Sequence, residues 1–294
     1  MNEEINLQGD YNESAVEQEA PKLLSKKELK KMKKQQEKEE FSWKKEIISW
    51  IKIIVFAIAM ALFINEFIII NANVPSGSME NTIIPGDRMV GLRVSYWFNS
   101  PKRGDIVIFN NPEYVEGDSP EDSKFYVKRA IGLPGEKVKI KDAKVYINDS
   151  KEPLEEGYLK EEWYKNAGYD TGMDYNNGEL FFYVPKKGDK VTVKDGVKTL
   201  NGNVIVLKNT YMKCSDGTDI NKKIKTDVTG EQTLEDGTYV VKKDCYFMMG
   251  DNRNDSWDCR YWPGTNYVSD EDVLAKAVVG YLPWRGFYSH PSYE

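Results

Sequence analysis

The stretch VPSGSM at residues 74–79 marks the point where the chain changes character. A long apolar segment lies before it, and short apolar runs separated by Gly and Pro follow it. Because short runs with such punctuation are typical of strands, the chain after residue 79 is predicted to be mainly β. The two serines are candidate nucleophiles, although a serine needs a neighbouring base for that role. A polar turn without catalytic function is the alternative interpretation.

The apolar segment before this stretch has the length of a membrane-spanning helix. Residues 47–64 are almost wholly apolar and would extend about 27 Å as a helix, close to the roughly 30 Å hydrocarbon thickness of a bilayer. Trp43 and Trp50 lie at its N-terminal end, where interfacial aromatic residues are expected. A buried core helix is the alternative. A cleavable signal peptide is disfavoured, because the preceding charged region is long and residues 71–73 offer no small-x-small site.

The residues before the apolar segment are first acidic and then rich in lysine. Residues 1–20 are polar and are predicted to be disordered. Lysines dominate from residue 22 to residue 45, which by itself is typical of a solvated helix or tail. Because this cluster directly precedes the apolar segment, it predicts a cytoplasmic N-terminus and places residues 71–294 outside. The sequence thus predicts a single-pass protein of the cell membrane, in contact with the lipid bilayer.

Composition argues against several classes of function. The net charge of -6 provides no basic field for nucleic acid. The one histidine, His290, lies close to the C-terminus, where chains fray, so a Ser-His-Asp triad is not expected. The spacing of Cys and His residues fits no zinc site, and no metal or cofactor is predicted. Of Cys214, Cys245 and Cys259, at most two can form a disulfide, and Cys214 with Cys245 is the pair to test.

The predicted body has two regions. Residues 150–240 are richer in Gly, Lys, Asp and Tyr and have weaker strand patterns, which predicts a second β region inserted into the first. Shortening this region between about residues 155 and 230 is expected to alter stability or substrate range more than bond-making. The predicted organisation is a cytoplasmic tail at 1–45, a transmembrane anchor at 46–66, a catalytic β domain at 67–150 and 241–294, and an inserted β region at 151–240.

Two further clusters contain side chains suited to chemistry. The run FYVKRA at residues 125–130 places Lys128 within an apolar strand, which is costly unless the lysine faces water or has a function. Lys128 and Arg129 point to opposite faces of such a strand and cannot share one role. The run MMGDNRNDSWDCR at 248–260 has many hydrogen-bonding side chains, as in a turn that orders a neighbouring site. A solvated loop is the alternative there.

These clusters together resemble a known family. PSGSM at 75–79, YVKR at 126–129 with GLPG at 132–135, and GDNR at 250–253 with DCR at 258–260 resemble the successive boxes of bacterial type I signal peptidases. The resemblance implies a largely antiparallel β fold and a membrane-bound serine endopeptidase. Such an enzyme removes signal peptides from exported preproteins after small-x-small sites. The implied partners are those preproteins, with the protein-translocation machinery as a further candidate.

The resemblance also assigns residues. It implies that Ser78 is the nucleophile and Lys128 the general base, with the Ser76 hydroxyl and the Ser78 N–H as the oxyanion hole. It implies that Ser256 orients the lysine amine. The implied supporting residues are Asp251, Asp258, Arg260 and Arg129. The implied substrate groove is formed by Val74, Pro75, Met79, Ile83, Tyr126 and Val127.

The proposed base must be neutral when it accepts the serine proton. A free lysine has a pKa of about 10.4, and lowering it to about 8 costs roughly 3 kcal/mol. Burial near Tyr126, Val127 and Met248 can lower the pKa by this amount through desolvation of the charged amine. Because a carboxylate beside the amine would cancel the effect, Asp258 is predicted to point toward Arg260.

Three departures from the pattern occur, and alternatives remain open. Asn81 replaces a common proline, residues 254–255 invert the usual Asp-Asn, and Cys259 replaces a common serine. A catalytically silent, membrane-anchored interaction module of the same fold is the main alternative. Other serine-lysine enzymes are disfavoured, because SWIK at 49–52 lies in the anchor and no Lys-Thr-Gly follows. A self-cleaving repressor would need a DNA-binding module and no anchor.

Overall fold

The computed structural model describes residues 25–113, 124–159, 179–226 and 232–288. The acidic tail that was predicted to be disordered and His290 lie outside these segments. The chain divides into two compact units, Met1–Met60 and Ala61–Glu294.

A single long helix precedes the β body. Helix α1 runs Lys26–Phe63 and is followed by a π-helical turn, Ile64–Ile68. The lysine-rich stretch and the apolar segment, predicted as separate parts, therefore form one continuous helix, consistent with the good helix propensity of Lys, Glu and Gln. Within the described segments, one stretch is helical, long and apolar enough to cross a membrane, Trp43–Ile68 of 26 residues.

The rest of the described chain consists mainly of strands. The strands near the N-terminal side are β1 Ile69–Asn73, β2 Arg88–Leu92, β3 Ile106–Asn110, β4 Phe125–Gly132, β5 Lys137–Lys141, β6 Lys144–Ile147 and β7 Glu179–Tyr183. The next are β8 Lys190–Lys194, β9 Val197–Leu200, β10 Asn203–Val204, β11 Met212–Cys214, β12 Ile224–Thr226, β13 Gln232–Leu234 and β14 Gly237–Val241. The last are β15 Cys245–Met249, β16 Val268–Ser269, β17 Val273–Leu282 and β18 Trp284–Phe287.

The largest sheet positions the candidate site. Its strand order is β1-β2-β17-β3-β4-β15-β16, with β18 paired to β17. Every pairing is antiparallel, which confirms the predicted fold class. The C-terminal strand β17 lies between β2 and β3, so both ends of the described body contribute to one sheet.

The region predicted as an insertion forms the remaining sheets together with β5 and β6. They are a three-stranded sheet in the order β6-β5-β7, a five-stranded sheet in the order β10-β9-β8-β14-β11, and the β12–β13 pair. Because β5 pairs with β7, the domain boundary placed at residue 150 falls inside the first of these sheets. Phe109 and Phe247 of the large sheet share one hydrophobic cluster with Val191 and Val241 of the five-stranded sheet. The two regions are therefore joined by a common core.

The cysteines do not pair. Cys214, Cys245 and Cys259 are all buried free thiols, so the disulfide suggested between Cys214 and Cys245 is wrong. Buried cysteines of this kind pack as small apolar side chains.

Candidate active site

Ser78 lies in a helical turn between β1 and β2. The Glu80 N–H donates to the Gly77 carbonyl at 2.9 Å, and the Ile83 N–H donates to the Met79 carbonyl at 2.8 Å. Met79 and Ile83 are fully buried in a small apolar cluster. Burial of these two side chains fixes the turn, so that the position of Ser78 is set by packing on both sides of it.

The loop after β15 holds the serine turn from the other side. Asn252 donates its backbone N–H to the Ser78 carbonyl at 3.1 Å and its side-chain amide to the Gly77 carbonyl at 3.0 Å. At position 250, a Cβ would collide with the Ser78 carbonyl oxygen and with the Ser256 hydroxyl. Glycine is thus required for this close approach. Asn252 lay within a recognised box, but no sequence pattern indicated that its amide holds the serine turn.

Lys128 projects from β4 toward this turn. Its Nζ lies 2.5 Å from Ser78 Oγ, and the lysine is 3% exposed. Its ammonium is 5.5 Å from the centre of the Tyr126 ring. Within the described segments, Ser78 Oγ is its hydrogen-bond partner and no carboxylate pairs with it. The two residues singled out by the sequence boxes therefore meet, although 50 positions separate them.

The surroundings lower the proton affinity of the lysine. Desolvation by burial is the largest cause and lowers the Lys128 pKa from 10.5 to about 8. The Asp258 carboxylate opposes this shift, and the Arg260 guanidinium supports it. A neutral amine is consequently accessible near physiological pH, as a general base requires.

Asp258 is paired with Arg260. Its carboxylate accepts hydrogen bonds from Arg260 Nε at 2.8 Å and Nη2 at 2.9 Å. It also accepts from the Gly250 N–H at 2.9 Å and from the Ser256 hydroxyl at 2.7 Å. Burial raises the Asp258 pKa, but the Arg260 guanidinium and these hydrogen bonds dominate and leave it below its ordinary value. The carboxylate thus faces Arg260, as expected from the need for a neutral Lys128.

Ser256 is fully buried beside this pair. In the described part of the chain its hydroxyl donates to Asp258, and it has no hydrogen bond to Lys128. A hydroxyl that donates to one group can still accept from another. The lysine-orienting role of Ser256 therefore stays a prediction.

Arg129 and Asp251 form a second buried pair on the opposite face of β4. Arg129 donates from Nε to Asp251 Oδ1 at 2.8 Å and from Nη2 to Oδ2 at 2.6 Å. A third hydrogen bond joins Arg129 to the Gly104 carbonyl at 2.7 Å. The Thr82 hydroxyl donates to Asp251 at 2.5 Å and so ties the serine turn to this pair. The sequence had not singled out Thr82.

The atoms assigned to the oxyanion hole lie together. The hydroxyl oxygens of Ser76 and Ser78 are 3.4 Å apart. Among the described residues, no group accepts a hydrogen bond from the Ser78 N–H. The Ser78 N–H is therefore available to donate to a developing negative charge beside the serine, and the Ser76 hydroxyl lies next to the nucleophile.

A groove of about 570 Å³ opens onto Ser78 and Lys128. All six residues predicted for the substrate groove line it, and so do several that the sequence did not indicate. The additional lining residues include Ile70, Ala72, Ile108, Phe125 and Trp257. Strand β1 is an edge of its sheet, and the pairing of β4 with β15 begins only at Arg129. In the part of the chain that the structure describes, β1 and the segment of β4 before Arg129 thus border the groove on two sides.

Two departures from the family pattern have physical consequences. Asn81 has φ +91°, a conformation that proline cannot adopt. The backbone at residue 81 therefore differs from that of a chain with proline at this position. Cys259 accepts a hydrogen bond from the Met248 N–H at 3.1 Å, and burial raises the pKa of its thiol well above 9.0. A protonated, enclosed thiol is unreactive.

Comparisons with known proteins point to one family. A family model described as signal peptidase, peptidase S26, matches residues 47–282. The chain is 31% identical over 249 residues to a signal peptidase I of Buchnera aphidicola subsp. Schizaphis graminum, covering 74% of this chain and 70% of the relative. It is 27% identical over 227 residues to a signal peptidase I of Leptolyngbya laminosa, covering 77% and 75%. A solved signal peptidase I from Enterococcus faecalis V583 aligns with 60% of this chain and 97% of its own length, at 23% identity and a TM-score of 0.27, which is too low to compare the folds.

Proposed function

Because this chain belongs to the signal peptidase family, peptidase S26, and is a serine protease that removes signal peptides from preproteins, we propose that Ser78 and Lys128 form its catalytic dyad. The observation that carries the proposal is the 2.5 Å separation between Lys128 Nζ and Ser78 Oγ inside a buried site. A nucleophile within hydrogen-bond reach of a base with a lowered pKa is the arrangement that serine catalysis needs.

The proposed reaction has two proton transfers in each half. Ser78 Oγ attacks the carbonyl carbon of the scissile peptide bond while its proton passes to neutral Lys128. The resulting ammonium then gives the proton to the leaving amine, and the C–N bond breaks to leave an ester on Ser78. Lys128 next accepts a proton from water, whose oxygen attacks the ester carbon, and returns the proton to Ser78 Oγ as the signal peptide leaves.

The oxyanion is the second requirement of this reaction. We assign its stabilisation to the Ser76 hydroxyl and the Ser78 N–H, which lie on the same turn as the nucleophile. Donors fixed by the protein need no reorganisation when the charge develops, and removing one such donor typically costs about 10²- to 10³-fold in kcat. The loop carrying Asn252 maintains the turn and thus indirectly the direction of these donors.

The groove accounts for the proposed specificity. An extended peptide along β1 and the N-terminal part of β4 would gain main-chain hydrogen bonds and direct alternate side chains to the wall. Val74, Met79 and Ile83 form a fully buried floor there, so side chains one and three residues before the cut meet closed apolar surfaces. Because added volume in a packed site is penalised, small residues at both positions are preferred.

Cleavage of a defined preprotein tests the proposal. The purified full chain in detergent is incubated with a preprotein, and the cut is mapped by mass spectrometry. We expect one cut after a small-x-small site, with kcat/KM rising about tenfold per pH unit up to about 8, the Lys128 pKa. Ser78→Ala should give no cut. Cleavage by Ser78→Ala would reject the nucleophile, and a preference for bulky residues would reject the groove. A folded wild type that binds preproteins without cutting them would favour the silent interaction module.

The family match and one apolar helix near the N-terminus indicate a membrane-anchored protein. We propose that Trp43–Ile68 spans the bilayer once, with the lysines before it in the cytoplasm and the catalytic body outside, near emerging preproteins and the translocation machinery. Protease added to spheroplasts should digest the body and spare an epitope at the N-terminus. A clipped N-terminus with an intact body would reject this orientation.

A further inference from the structure

The segment at residues 154–159, which we call the strap, lies within the inserted region but contacts the candidate active site. Its Leu154 N–H donates to the Val145 carbonyl at 2.7 Å, which attaches the strap to β6. Its other end turns tightly, with the Leu159 N–H donating to the Glu156 carbonyl at 3.2 Å. The strap therefore leaves the three-stranded sheet of the inserted region and ends against the catalytic loops.

The first contact of the strap is with the serine turn. The side-chain amide of Asn81, three residues after Ser78, donates to the Tyr158 carbonyl at 3.0 Å and to the Leu159 carbonyl at 3.2 Å. The left-handed backbone of Asn81 directs the amide toward the strap. One side chain of the serine turn is thus fastened to two consecutive carbonyls that lie 77 and 78 positions away.

The second contact is with the loop after β15. Arg253 is 2% exposed, and its Nη1 and Nη2 both donate to the Glu156 carboxylate, the first at 3.0 Å. Arg253 Nε donates to the Gly250 carbonyl at 3.0 Å, so the same guanidinium also braces its own loop. Asn252 of this loop is the residue that holds the Ser78 carbonyl. The Glu156–Arg253 pair therefore acts on the serine turn through the loop that carries Asn252.

The third contact is with the strand of the base. The guanidinium carbon of Arg129, the neighbour of Lys128, lies 4.0 Å from the centre of the Tyr158 ring. The Tyr158 hydroxyl donates to Glu156 at 2.8 Å, which joins this contact to the Arg253 pair. One short segment thus touches all three chain segments that form the site.

We propose that the strap is a positioning element of the dyad, in which Glu156 and Asn81 hold Ser78 in line with Lys128. The proposal rests on the dyad proposed above. An error of about 1 Å in a reacting atom can cost on the order of 10²-fold in rate. The strap lines no part of the groove, so its loss should lower kcat and leave KM unchanged. This revises the expectation that the whole stretch from 155 to 230 is dispensable for bond-making.

Two pairs of matched variants test the proposal. Glu156→Gln removes the charge that faces Arg253, and its control is Glu155→Gln at the exposed neighbouring position. Asn81→Gly removes the amide and keeps the left-handed backbone accessible, and its control is Asn201→Gly, at an exposed turn with φ +51°. We measure kcat, KM and the thermal midpoint of the full chain in detergent, well below that midpoint, with Ser78→Ala as the blank.

We expect Glu156→Gln and Asn81→Gly to lower kcat by roughly 10-fold or more with KM within about twofold of wild type, and both controls to match wild type. Glu156→Asp, which keeps the charge, should recover part of the loss. If Glu156→Gln fails to fold, Asn81→Gly still decides the matter. Wild-type kcat in folded Asn81→Gly, or a rise in KM alone, would overturn the strap proposal. If the wild type does not cleave the preprotein, or if Ser78→Ala does cleave it, the proposed dyad itself would be overturned.

Discussion

Lys128 and Arg129 are adjacent on β4 and equally buried, but their surroundings differ. The Arg129 guanidinium is matched by the Asp251 carboxylate and by the Gly104 carbonyl. Among the described residues, the hydrogen-bond partner of Lys128 is a neutral hydroxyl, that of Ser78. A buried cation with a matching anion keeps its charge and ties segments together, whereas one without an anion tends to lose its proton. The partners, and not burial alone, thus separate the base from the structural cation.

The largest expected effect comes from changing Lys128 itself. Lys128→Arg should lower kcat by roughly 10³-fold or more, because a guanidinium does not release its proton near neutral pH. Turnover by the purified variant on a preprotein is the measurement. The double variant of Ser78→Ala and Lys128→Ala should be little worse than either single variant, since the two residues act as a unit. Substantial activity in Lys128→Arg would show that residue 128 does not act as a proton acceptor, and the distinction between the base and the structural cation Arg129 would be lost.

The next largest effect is expected at the buried ion pair of Arg129 and Asp251. Asp251→Asn should lower the free energy of unfolding by about 3–5 kcal/mol, because Arg129 would remain buried without its anion. Denaturant unfolding of the full chain in detergent is the measurement. The control is Asp149→Asn, whose ion pair with Lys137 is largely exposed and should be dispensable. Equal midpoints for Asp251→Asn and the control would mean that the pair does not tie the segments together.

The sequence was sufficient for residues in recognisable boxes. Ser78 and Lys128 were predicted from short motifs, and the structure places them in contact. Fold class followed from the same kind of signal.

Long-range pairing was not predictable from such patterns. The run Val273–Leu282 gave no strand prediction, yet it forms the central strand β17. Its place between β2 and β3 depends on residues more than 160 positions away in the chain. The same holds for the strap, because Glu156 and Arg253 are 97 positions apart and no local sequence pattern predicts that they pair.

A smaller effect should appear in stability when Lys128 becomes apolar. The Lys128 pKa is about 8 in the folded protein and 10.5 when exposed, so below pH 8 the folded state carries an unfavourable charge that costs about 3 kcal/mol. Lys128→Met removes this cost and also the hydrogen bond to Ser78, worth about 1 kcal/mol. The free energy of unfolding should therefore rise by about 2 kcal/mol at pH 7.

The pH dependence gives the sign of this effect. Between pH 8 and 10.5 the unfolded chain binds the Lys128 proton more than the folded protein does, so wild-type stability rises with pH relative to Lys128→Met. Unfolding of both proteins at several pH values from 7 to 10 should show their difference shrinking. Lys213→Met, at an exposed position of β11, is the control and should show no such trend. A less stable Lys128→Met at pH 7 would indicate that the lysine is not a strained, desolvated cation.

The smallest effect is expected at Cys259, which lies between Asp258 and Arg260 and close to Lys128. Its thiol is fully buried, and burial raises its pKa well above 9.0, so little thiolate exists for reaction. A thiol-alkylating reagent at pH 7.5 should leave turnover unchanged and add no mass to the native chain. The same reagent in denaturant without reductant should label all three cysteines, because none forms a disulfide. Native labelling at Cys259 with loss of activity would show that water and reagents reach the surroundings of Lys128. The desolvation that lowers the Lys128 pKa would then have to come from the bound substrate and not from the fold.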